Sequence, residues 1–125
     1  DTTMPKTRTF LLKDERHPQK PVATLAVVET GKHSTNQYTI KVHADSNPSL
    51  SLKVLVKHAG TTTITGKRAA DWIAGRATPA GRQNIGDVLH AVGLRSYDAW
   101  GIVQGHKCRC TRDHIYMEEI QDDHK

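Results

Sequence analysis

"QYTIKVHADSNPSLSLKVLVKH", Gln37 to His58, sets the architecture expected of the first half of the chain. Its first part alternates: Tyr38, Ile40, Val42 and Ala44 fall on one side, Thr39, Lys41 and His43 on the other. Its last part can be read the same way, with Leu50, Leu52, Val54 and Val56 set against Ser51, Lys53, Lys57 and His58. A period of two with β-branched residues marks strands with one wet face. The turn formers "DSNPS" lie between them, so the pair is expected to form an antiparallel hairpin.

Upstream of it, "RTFLLKD" is a short strand and "DERHPQKP" a proline-marked loop. "VATLAVVE" is nearly continuous apolar strand, a pattern that fits cover on both faces, and "TTTIT" at 61–65 adds a short edge strand. After Gly66 the period becomes helical. "KRAADWIAGR" places Ala69, Trp72 and Ile73 on one face. "ATPAGRQNIGDVLHAVGL" offers Thr78 as N-cap and Pro79 as first helical residue. Its stripe is Ile85, Val88, Leu89 and Val92, and Gly93 supplies a left-handed stop. "SYDAWGIVQG" repeats the pattern, with Ser96 as cap, Ala99, Trp100 and Val103 buried, and Gly105 as stop. Trp72, Leu89 and Trp100 are expected to meet where the three helices converge.

The expected architecture is a single α+β domain over residues 1–125. An N-terminal antiparallel β-meander fills about 7–65, a three-helix cluster follows over 66–105, and a short terminal element and tail occupy 106–125. The last element is open between strand and helix, since Ile115 and Met117 suit one and Tyr116 and Ile120 the other.

Composition bounds the function. The chain has 125 residues, 36% of them hydrophobic and 5% aromatic, which suits one small aliphatic core. Its formal charge of +5 favours an anionic partner, nucleic acid or an acidic protein face. No apolar run is long enough to span a bilayer and no secretory leader pattern is present, which points to a cytoplasmic protein with no membrane partner. Two cysteines are too few for a secreted disulfide scaffold. The chain begins at Asp1 without methionine, which points to a trimmed chain or a part of a longer polypeptide.

The densest positive stretch holds Lys67, Arg68, Arg76 and Arg82 against Asp71 alone, a candidate surface for phosphates or for a partner. The competing reading pairs Arg76 and Arg82 with Asp71, Asp87 or helix C-terminal carbonyls, in service of the fold. "GHKCRCTRDH", 105–114, gathers both cysteines and two histidines. His106, Cys108, Cys110 and His114 have the chemistry of a zinc set, but one residue between the cysteines is too tight for the usual knuckle. A disulfide across one residue is strained. Lys107, Arg109 and Arg112 would lower the thiol pKa values and make an exposed cysteine reactive. The reading adopted is structural thiols in a strand after the last helix, with no cofactor.

No nucleophile elbow, metal-protease helix or phosphate-binding glycine loop is present, so no catalytic residues are assigned and a non-enzymatic role is expected.

Two resemblances add to this. "WIAGRATP" followed by "NIGDVLHAVGL" resembles the end of a recognition helix and the next helix in phage-repressor-like DNA binders, although the residues before Gly66 read as β. The order "FLLKD", a strand-rich stretch, "WIAGRATPAGRQNIGDVLHAVGL", "YD" and "RDHIY" resembles small accessory domains encoded with, or fused in front of, bacterial HipA-like kinases. The pattern rests on Trp72, Arg76, Pro79 and Arg82, then an aliphatic helix and Asp113. The kinase motifs are absent. The resemblance implies an accessory or regulatory module of bacterial or mobile-element origin that acts through a protein partner. DNA binding by the basic helical half is the alternative, and the oligomeric state is left open.

Overall fold

In the computed structural model, residues 6–30, 35–43, 50–110 and 113–120 are described. The elements run β1 (Lys6–Asp14), β2 (Ala23–Glu29), β3 (Gln37–Val42), α1 (Leu50–Ala59), β4 (Thr63–Thr65), α2 (Gly66–Gly75), α3 (Ile85–Ala91), α4 (Ala99–Gly105) and β5 (Ile115–Glu119). This is an α+β fold. Its five strands are all antiparallel, in the order β4-β3-β2-β1-β5. The C-terminal segment therefore returns beside the first strand.

Alternation decides which face of the sheet is covered. Ile64, Ile40, Leu25 and Phe10 lie opposite one another across four strands, and Val42, Ala23, Leu12 and Met117 form the neighbouring row. All eight are buried, and the helices pack on that side. In β2 the alternate residues Thr24, Ala26 and Val28 are half-buried, so the strand is fully covered on one face only.

Residues 50–58 correct the expected hairpin: they form helix α1. Two periods coexist in this segment. Leu52, Leu55, Val56 and Ala59 make an i, i+3, i+4, i+7 stripe, and these are the residues that pack on the core. Lys57 and His58 sit in the last turn, where the helix dipole favours positive charge. The helical register leaves Leu50 and Val54 on the outside, 75% and 42% exposed.

α4 lies deepest. Asp98, not Ser96, caps it by accepting from the Gly101 N–H at 2.8 Å. Trp100 packs edge-on against Phe10 and Tyr38, with centroids 5.6 and 5.5 Å away, and its Nε1–H donates to Glu29 at 2.7 Å. The expected meeting point of the helices is thus displaced towards the sheet, with Trp72 and Leu89 half-buried. α3 is the outermost helix and buries no residue. It starts at Ile85 rather than beside Thr78, because residues 80–84 are all exposed and offer no apolar face. Gly93 does take the left-handed stop, at φ +78°, with the Leu94 N–H bonded to Leu89 O and the Gly93 N–H to His90 O. No helix among the described residues is long and apolar enough to cross a membrane.

Candidate functional site

Arg76 occupies the C-cap of α2, which aims its side chain under the turn that follows α4. It is buried, with a side chain 3% exposed. Nη1 and Nη2 donate to the two Asp113 carboxylate oxygens, both at 2.8 Å. Nε donates to Cys108 O at 2.7 Å, and Nη2 also reaches Ile115 O at 3.1 Å. The guanidinium stacks 4.7 Å from the Trp72 ring centroid. Each guanidinium nitrogen is thus hydrogen-bonded, and the buried charge is met by a bidentate carboxylate, two carbonyls and an aromatic face. Arg76 therefore serves the fold, with Asp113 as its partner rather than Asp71 or Asp87.

The turn beneath it has an unusual backbone. α4 ends in a Schellman arrangement, Lys107 N–H to Gln104 O and Cys108 N–H to Val103 O, but the left-handed residues are Lys107 at φ 54° and Cys108 at φ 66°. Neither is glycine, and each such residue costs roughly 1–2 kcal/mol. Partners hold the shape: Lys107 O accepts from the Met117 N–H at 2.8 Å, and Cys108 O accepts from Arg76. The Met117 N–H bond to Lys107 O and the Arg76 bond to Ile115 O occupy backbone groups on the outer side of β5, protecting that sheet edge. Gly105 meets a different need from the expected helix stop. A Cβ there would lie 2.5 Å from Val92 Cγ1, so glycine lets α4 press against the end of α3.

This turn settles where the thiols lie. Cys108 and Cys110 sit in a loop before β5, not in a strand. Cys108 is fully buried, and burial pushes its thiol up to about 11, outweighing the pull of Arg76. The clustered basic residues therefore do not activate it. Cys110 is half-buried, with Sγ 3.9 Å from Asp113 Oδ1. His106 and His114 are both exposed. Among the described residues, no three His, Cys, Asp or Glu side chains are grouped to hold a metal ion. The four residues with zinc chemistry are thus not brought together.

Two cavities adjoin at the end of α2, sharing Gly75 and Arg76 in their walls. The first, about 530 Å³, is lined mainly by Leu50, Val54, Trp72 and the Arg76–Asp113 pair, with Asp71 as its other carboxylate. Asp71 is held by Lys67 at 2.7 Å. The second, about 510 Å³, lies between residues 75–82 and the turn after α4, and includes Thr78, Pro79, Arg82, His106, Arg109 and Cys110. No carboxylate lines this half among the described residues. Arg82 is exposed and has no ion-pair partner among them, whereas Arg109 is paired with Glu15 and lies over the Tyr116 ring.

The four basic candidates divide. Lys67 and Arg68 are exposed in the first turn of α2, and Arg76 caps its far end, about 13 Å along the axis at 1.5 Å per residue. Only Arg76 and Arg82 share a cavity. Trp72, Arg76, Pro79, Arg82 and Asp113, the positions of the accessory-domain pattern, all line one cavity or the other. A strand reading of residues 50–58 hides the apolar half, because it places Leu50 and Val54 on the same face as Leu52 and Val56. Comparison of the chain with protein-family models, curated proteins and solved structures finds no match.

Proposed function

We propose that this protein is a non-enzymatic binding module, an accessory or regulatory domain that acts by seating a protein partner in the groove formed by the two cavities. One observation carries the reading. Exposed Leu50 and Val54 sit beside half-buried Trp72 in one half, and Arg82, with no ion-pair partner among the described residues, lines the adjoining half. Core packing accounts for none of these exposed groups. Apolar anchors flanked by charge are how protein surfaces recognise other proteins.

The DNA reading draws on fewer residues than the sequence offered. Arg76 is internally neutralised, Lys67 is paired with Asp71, and Arg68 lies in the first turn of α2 while Arg82 lies beyond its far end. α1 does supply a helix ahead of α2, but residues 60–65 with β4 separate them, longer than the three- or four-residue turn of a helix-turn-helix.

The test is photo-crosslinking in cells from a reactive residue placed at position 54, with position 41 on the opposite sheet face as control. A discrete protein adduct from position 54 alone is expected. Crosslinks to nucleic acid, or equal protein adducts from both positions, would overturn the proposal.

A further inference from the structure

We infer that the occupant of the groove is an extended peptide segment with a large apolar residue and, a few residues away on one side of it, an acidic one that lies towards Arg82. The inference rests on the protein-binding reading and adds the partner's chemistry and direction. Leu50 and Val54 stand one turn apart on α1, and both line the same cavity as Trp72. Isolated exposed aliphatics are ordinary, but two in register beside an aromatic ring make a pocket for one apolar side chain.

Charge then sets the direction. At the apolar end the lining carboxylate Asp71 is already paired with Lys67, so a peptide acid finds no unpaired cation there among the described residues. In the middle, Arg76 and Asp113 cancel, leaving a neutral floor beneath the chain. At the far end Arg82 and His106 face the cavity with no carboxylate among the described lining residues, so an acid is favoured only there. Gly75, shared by both cavities, puts no side chain between the two ends.

The test is selection of a random peptide display library against the full chain, followed by affinity measurement on the recovered peptides. Enriched peptides should carry Leu, Ile, Phe or Trp with Asp or Glu within a few residues of it, on a consistent side. Arg82→Glu should weaken them by about tenfold or more, and changing the peptide acid to Lys should restore binding to that variant. Val54→Glu should abolish binding, and both variants should keep the parent melting temperature, since both side chains are exposed. Recovered peptides that bind in the groove without an acidic residue would overturn this inference and leave the protein-binding reading standing. Peptides indifferent to both Val54→Glu and Arg82→Glu, or no enrichment at all, would overturn both.

Discussion

Arg76 shows how one side chain joins parts of the molecule that are far apart in sequence. It ties the end of α2 to Asp113, 37 residues on, and to the carbonyls of Cys108 and Ile115. Arg76→Ala leaves a half-buried carboxylate without its bidentate cation and two carbonyls without a donor. That should cost about 3–5 kcal/mol in denaturant unfolding. Arg76→Lys should recover only part, because an ammonium lacks the planar fork. A parent-like midpoint for Arg76→Ala would show that the network carries no stability. The two thiols differ by burial, fully covered Cys108 against half-buried Cys110. Alkylation of the native protein near pH 8 should modify Cys110 first, with Cys108 reacting only after unfolding. Equal rates followed by mass spectrometry would contradict this placement.

Among the elements, α1 and α3 show what local pattern reveals and what it hides. β3 and the stripes of the helical half are legible in the sequence because each carries one dominant period, and β2 because its apolar run is too short for anything but a strand or a buried turn of helix. Residues 50–59 carry two, and the choice depends on which face the rest of the chain can cover, a tertiary property. The helical stripe Leu52, Leu55, Val56 and Ala59 prevails because it meets the core. The candidate site is legible in part: Arg76, Arg82, His106 and Cys110 do line one cavity. The Arg76–Asp113 pair carries no local signal, since nothing in either segment points to the other. The glycines of α3 and α4 give a paired test. A Cβ at Gly86 would project into open space, with nothing within 4 Å, so Gly86→Ala should stabilise α3 by about 0.5–1 kcal/mol. Gly105→Ala collides with Val92 and should destabilise by about 1–3 kcal/mol. Melting shifts of the same sign would contradict the packing of α4 on α3.

For the whole molecule, acid is the condition under which the ion pairs declare themselves. Asp14 is buried at the end of β1, where Arg16 hydrogen-bonds its carboxylate and lowers it to about 2. Arg8 and Lys13 likewise lower Glu119 and Glu118 on β5. A carboxylate depressed in the folded state contributes its full stability above its unfolded value, about 3.9 for Asp, and loses it as pH falls through the folded one. Asp14→Asn should therefore be less stable than the parent above about pH 4, with the gap closing towards pH 2. A gap that stays constant across that window would show that the Asp14 charge is not linked to folding. The chain as a whole is positive, and the groove at the end of α2 joins an apolar end to part of that excess. If these two ends act as one binding site, a change at one must be felt by a partner held at the other. Repeating the position-54 crosslink in an Arg82→Glu background reads this out. Loss of the protein adduct, with an unchanged melting temperature, is the expected result; an undiminished adduct would show that the two ends bind independently and that the groove is not a single site.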